Sequence, residues 1–266
     1  MANLKIFSFH NLLVLNSFKA LWNLYFWDLV KRLCIDVGNS RTKLASFSGG
    51  ELIDSWAIES IEPELIRSEI DSIGWDTGII ASVSTDPKEI VQVQFEDRLL
   101  PFSFDLKLPV ENHYKSASLG HDRFCSAVGA WEHFNGTNTL CIDLGSCITF
   151  DLIVNQNFVG GKISPGLEMR LAAMHAFTKR LPKLNWTASD ELGTDTESSM
   201  RSGSFYGILH ELNGTIDRYK ASYKNLSVAI TGGDAMKFAG DLKNPIFADP
   251  NLVLLGMHNI LIHNEL

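Results

Sequence analysis

The chain has only four cysteines in 266 residues, and none forms a Cys-x-x-Cys pair. No Cys/His grouping has zinc spacing. Cys34, Cys125 and Cys141 lie in apolar runs. With Cys147 they read as small, buried, reduced core residues of a cytoplasmic protein. The eight histidines are scattered and no His-Glu-x-x-His occurs, which argues against a catalytic transition metal. Basic charge is also short, with Lys+Arg 23 against Asp+Glu 31 and a net charge of −8. A general nucleic-acid binder would need a basic face. A small anionic ligand stays possible, because local amides and one or two cations can hold a phosphate. The Gly-x-x-x-x-Gly-Lys-Ser/Thr pattern is missing, so a P-loop is not the phosphate device. No heptad or Gly-X-Y period runs through the chain. At 45% hydrophobic and 20% charged, it carries enough apolar area to exclude extended disorder.

Residues 1–32 are rich in Leu, Phe and Trp, yet Asn11, Asn16, Lys19, Asn23 and Asp28 interrupt the apolar run. A membrane span needs roughly 20 nearly uninterrupted apolar residues, and a secretory signal wants a small-residue cleavage site. Neither pattern is met, so stable membrane insertion is not expected. Ser17–Arg32 has the spacing of an amphipathic helix, and 1–32 reads as an appendage outside the fold.

The body alternates strands and helices. The pattern predicts a hairpin over 33–47, strands at 51–58, 78–83, 139–144, 148–154, 158–163 and 228–231, and helices at 62–73, 87–98, 123–134, 165–178, 200–223 and 251–262. Two segments look alike: Cys34-Ile-Asp-Val-Gly-Asn-Ser-Arg-Thr42 and Cys141-Ile-Asp-Leu-Gly-Ser-Cys-Ile-Thr149. Each is an apolar strand, then Asp-x-Gly, then a Thr-bearing strand. A repeat at this distance is one of domain size. It implies two related halves, 33–137 and 138–266, facing one another across a cleft.

Such a turn gathers a carboxylate, a hydroxyl and exposed backbone amides. Successive N–H groups form a concave anion site, and Arg41 and Lys43 add positive charge. Asp36 and Asp143 would repel a phosphate directly, so they make sense through a bridging cation. One such turn alone is common structural chemistry; the pair is what points to a polyphosphate. Gly232-Gly233-Asp234 follows a short strand, where bare backbone could receive an adenine or ribose; a simple turn is its plain structural reading. Gly120-His121-Asp122-Arg123 opens a helix. As structure, this is an acid at a helix N-terminus. As chemistry, Asp122 could accept the proton of a substrate hydroxyl, with Arg123 holding an anionic or polar acceptor.

Taken in order, Asp36–Lys43, Gly120–Arg123, Asp143–Thr149, Gly160–Gly166, Gly193–Thr196 and Thr231–Asp234 resemble the motifs of type III pantothenate kinases, members of the acetate and sugar kinase/Hsp70/actin superfamily. The resemblance implies an α/β fold of two related actin-like, ribonuclease H-like domains, with mixed sheets flanked by helices. It implies ATP-dependent phosphorylation of pantothenate to 4′-phosphopantothenate, the first step of coenzyme A synthesis. Asp36, Val37, Gly38, Asn39, Ser40, Arg41, Thr42, Lys43 and Ser146 would bind ATP, with Asp36 near Mg²⁺. Asp122 would be the catalytic base. Tyr114, Gly120, His121, Asp122, Arg123 and Thr196 would contact pantothenate. Asp143 would hold a monovalent cation, K⁺ or NH₄⁺. A homodimer is implied, with the long helix at 200–223 as a candidate interface. Asp195 and Cys147 depart from the family, which commonly has Asn and a small residue such as Ala there. The alternatives are a nucleotide-responsive regulatory protein on the same fold, or a kinase of another small hydroxy acid. The carboxylate in Gly120–Arg123 favours the kinase.

Overall fold

In the computed structural model, residues 30–265 are described, and they divide into two compact units after Pro101. The bulk of the expected N-terminal appendage lies outside the described residues. Its last three positions, 30–32, do not. Strand β1 (Lys31–Val37) begins at Lys31, so the helix expected from Ser17 cannot run to Arg32.

The first unit is built on one five-stranded sheet. Strands β1, β2 (Thr42–Ser48) and β3 (Glu51–Ile58) form an antiparallel meander; β4 (Thr77–Ser82) and β5 (Leu99–Pro101) add in parallel on the other side of β1, in the order β3-β2-β1-β4-β5. Parallel strands need crossovers, and helices α1 (Pro63–Ser72) and α2 (Pro87–Phe95) supply them. Each opens on a proline, whose fixed φ and missing N–H suit the first helical position. Ile66 and Ile70 of α1 and Ile90 of α2 pack with Leu33, Ile35, Leu44 and Ile80 into one apolar cluster.

The second unit repeats the scheme. Strands β7 (Thr139–Leu144), β8 (Cys147–Val154) and β9 (Asn157–Pro165) form the meander, and β10 (Ser227–Thr231) and β11 (Phe247–Ala248) add in parallel beside β7. A two-residue strand, β6 (Glu111–Asn112), extends the β9 edge. Alternation puts Leu140, Ile142, Phe150 and Leu152 on one face. They pack with Ile208, Leu212 and Ile216 of the long helix α5 (Thr196–Ser222) and with Phe238 of α6 (Ala235–Ala239). The opposite face, carrying Cys141, Asp143, Thr149 and Asp151, is covered by α3 (His121–His133). Helix α7 (Leu252–Glu265) packs on α3, and α4 (Leu167–Ala176) follows β9. Helix α3, expected within 33–137, thus belongs to the second unit.

Cys34, Cys125 and Cys141 are buried, whereas Cys147 is exposed at the β7–β8 turn, and none is in a disulfide. Burial pushes the Cys141 thiol well above its ordinary range, so that sulfur is inert. Among the described residues no helix is long and apolar enough to cross a membrane.

Candidate active site

In the first unit, the β1–β2 turn carries the first acidic motif. Asp36 pairs with Lys43 and Val37 with Thr42 across the hairpin. The turn is closed by Gly38 N donating to the Arg41 carbonyl at 3.0 Å, and Ser84 Oγ donates to the Gly38 carbonyl at 2.7 Å. Asn39, Ser40 and Arg41 are exposed, while Asp36 and Lys43 are half-buried beside them. Val37 and Thr42 are buried, and the Thr42 hydroxyl donates to the Ser60 carbonyl at 2.8 Å. The Thr42 side chain therefore braces the turn from beneath.

In the second unit, the equivalent turn brings two motifs together. Asp143 lies opposite Thr149 on β8 and beside Thr231 on β10. Asp234 N donates to the Leu144 carbonyl at 2.9 Å, so Thr231–Asp234 is tied to the Asp143 turn. A Cβ at Gly232 would overlap the Asp143 carboxylate and the Leu144 carbonyl. The glycine leaves those oxygens room, and a carboxylate and one carbonyl are hard donors of the kind that would suit an alkali cation. Ser146 is exposed, and its carbonyl accepts from Gly166 N at 3.0 Å, which ties the turn to the start of α4. Among the described residues no group of three or more His, Cys, Asp or Glu stands ready to bind a metal.

The N-terminus of α3 carries the proposed base. Gly120 is the N-cap and supplies no side chain to cap the first turn. Asp122 is half-buried in that turn, and its Oδ1 accepts from Arg123 N at 2.8 Å. His121 meets Phe102 edge-on at 5.5 Å between ring centroids. Arg123 is buried. Its Nε donates to both oxygens of Asp151, at 3.0 and 3.2 Å, and its Nη2 donates to Oδ1 at 2.5 Å. The Tyr114 ring stands 5.4 Å from the guanidinium carbon. Burial alone would lower the Arg123 pKa, but the bonds and charge of Asp151, with Tyr114, hold it above its ordinary value. Burial pushes the Asp151 carboxyl up to about 6 against the pull of Arg123. Each partner thus favours the charged form of the other.

Asp122, Arg123, Tyr114 and Asp143 thus all belong to the second unit, and Asp143 and Asp151 share the sheet face that α3 covers. Thr196 belongs to the same unit. It is the exposed first residue of α5, in an open recess with Met174, Leu181, Gly193 and Met200. Asp195 is that helix's N-cap: its carboxylate accepts from Ser198 N at 2.9 Å, while Asp195 N donates to Ser198 Oγ at 3.1 Å. Asn at a cap does the same work, so this departure preserves the local structure. Sequence reasoning missed Asp151. The signal was there, as a lone carboxylate inside the apolar run Ile148–Val154, because a buried charge requires a partner.

The type III pantothenate kinase family model matches residues 32–218. A type III pantothenate kinase from Phocaeicola vulgatus is 36% identical over 239 residues, covering 88% of this chain and 98% of that protein. One from Flavobacterium johnsoniae is 36% identical over 228 residues, covering 84% and 93%. Among solved structures, a Campylobacter jejuni protein described as a Baf family transcriptional activator aligns with a TM-score of 0.60 at 20% identity, covering 88% of this chain and 98% of that one. An N-acetylmannosamine kinase homologue from Listeria monocytogenes aligns at 0.53 and 16% identity, covering 89% and 100%. These structures speak for the fold alone, the two-unit actin-like α/β fold expected from the motifs. The sequence matches go further: the chain belongs to the type III pantothenate kinase family.

Proposed function

We propose a division of labour among the residues above for the reaction of this family, the ATP-dependent phosphorylation of pantothenate in coenzyme A biosynthesis. The single observation that carries it is the α3 N-terminus, where Asp122 stands beside an arginine locked in place. An alcohol is a poor nucleophile, and Asp122 takes its proton as the hydroxyl attacks the γ-phosphorus and the bond to the β–γ bridging oxygen breaks, releasing ADP. Arg123 and Tyr114 hold the acceptor, with the backbone and side chain of Gly120 and His121 at its edge. The exposed segment Asn39–Arg41, with the Ser40 hydroxyl, cradles phosphate oxygens, as does Ser146. Asp36 would hold Mg²⁺ and Asp143 a monovalent cation. Such ions supply neutralising charge along the phosphates. Little covalent chemistry falls to the protein, so the rate comes from positioning and charge. Thr196 is a further acceptor contact in this reading. We also propose a cytoplasmic homodimer; the exposed Phe177 and Leu192 are available to such an interface.

The test is ATP consumption by purified protein with Mg²⁺ and K⁺, with and without pantothenate. Consumption should depend on pantothenate, fall sharply when Na⁺ replaces K⁺, and be lost in Asp122→Asn while ATP still binds. General-base contributions run to roughly 10²–10⁴-fold, so near-normal turnover in that variant would exclude the base. Equal rates in the two salts would exclude the cation role of Asp143.

A further inference from the structure

The Gly160-Gly161 pair has no role in the reaction as described, yet the register explains it. Gly161 lies opposite Asp151 and Gly160 opposite Leu152 on the β8–β9 ladder. A Cβ at Gly161 would overlap the Phe150 carbonyl oxygen and stand 2.8 Å from Asp151 Oδ1. Gly160 has φ 122°, a left-handed conformation closed to other residues, and faces the Tyr114 ring. Together the glycines cut a notch in β9. The Asp151 carboxylate sits against the notch, with the Arg123 guanidinium forked onto it and Tyr114 beside it.

Asp151 is about 1% exposed, and such a charge in an apolar strand is costly unless it is fully bonded. For stability alone, apolar residues of similar size in place of both Asp151 and Arg123 would do as well. What a carboxylate adds is direction. A forked pair fixes the plane of the guanidinium, using Nε and Nη2 while Nη1 makes neither bond. We propose that Asp151 is a positioning residue of the acceptor site, holding Arg123 so that its remaining N–H edge meets the substrate. The proposal rests on the kinase reading above. Asp151 touches no reacting atom and acts through Arg123.

Asp151→Asn keeps the shape and removes the charge. The readout is the Michaelis constant for each substrate, taken separately, on the variant and the wild type. The KM for pantothenate should rise about tenfold to a hundredfold, the loss expected for a charged hydrogen bond, while the KM for ATP stays within about twofold. Equal rises in both constants, or no rise in either, would overturn the proposal. A second measurement needs no variant to fold. In the wild type, the Arg123 Nε–H proton should exchange slowly with solvent in nitrogen-15 spectra, with and without pantothenate; a rapidly exchanging, averaged signal would also overturn it. If wild-type ATP consumption ignores pantothenate, the kinase reading falls and takes the proposal with it. If only the variant disagrees, Asp151 alone is misassigned.

Discussion

At the scale of single residues, environment assigns different roles to similar carboxylates. Asp122 is half-buried at a helix start, Asp151 is sealed under an arginine, and Asp195 is exposed at a cap. Asp195 yields a pH prediction. The Ser198 backbone N–H, and then the Ser198 side chain, hold its carboxyl below the ordinary carboxylate range. A lowered folded value means stability that is present above the unfolded pKa and lost as pH falls through the folded one. Asp195→Asn should keep the cap and flatten that acid limb, whereas Asp195→Ala should lower the melting temperature at neutral pH as well. Thermal melts taken from about pH 3 to 7 separate the two; identical acid limbs in wild type and Asn variant would refute the assignment. Asp122 and Arg123 stand out in the sequence because they belong to a short contiguous motif. Asp151 does not, because its partner lies 28 residues away in the chain and the hairpin motif appears complete at Thr149.

At the scale of elements, helices and central strands were legible because their apolar period runs over several turns or rungs. The expected strand at 51–58 and helix at 62–73 appear as β3 and α1 with little change of boundary. Three strands of two or three residues, β5, β6 and β11, were missed. Such edge pieces are too short to show alternation and exist only because a neighbouring strand offers its backbone. Contact between helices was equally hidden. Helices α3 and α7 cross at Gly129 and Gly256, where a Cβ on Gly256 would overlap the Cys125 carbonyl. Glycine inside a helix normally costs about 1 kcal/mol relative to alanine, so the substitution would stabilise an isolated helix. Here the obstructing atoms are backbone and cannot rotate away. Gly256→Ala should therefore destabilise by about 1–3 kcal/mol, the range for overpacking. Gly214 in α5 is exposed with open space around its Cα, and Gly214→Ala should stabilise by up to about 1 kcal/mol. Urea unfolding of both variants tests the contrast: the same sign in each would mean that the crossing is looser than its geometry.

At the scale of the whole chain, the internal repeat was read correctly as a repeated strand scheme and placed differently along the sequence. The strand orders show it: β3-β2-β1-β4-β5 corresponds to β9-β8-β7-β10-β11, with each Asp-x-Gly turn joining the first two strands of its meander. The division falls after Pro101 instead of at 137/138, because α3 packs against β7, β8 and α7. Chain order alone could not reveal that a helix preceding the second meander folds onto it. The start of the fold moves too. Lys31 and Arg32 look polar and linker-like, yet Lys31 pairs with Ser48 and Arg32 with Phe47 and Thr77, and Arg32 is about 1% exposed. The family match likewise begins at residue 32. Two truncations only a few residues apart should therefore behave differently. Removing residues 1–29 keeps all of β1 and should leave pantothenate-dependent ATP consumption and the melting temperature unchanged. Removing 1–32 takes two rungs from the central strand and a buried side chain, and should lower the melting temperature. Loss of activity in the shorter truncation would give the N-terminal segment a part in folding or catalysis; equal stability in the two would show that the Arg32 rung adds nothing to the sheet.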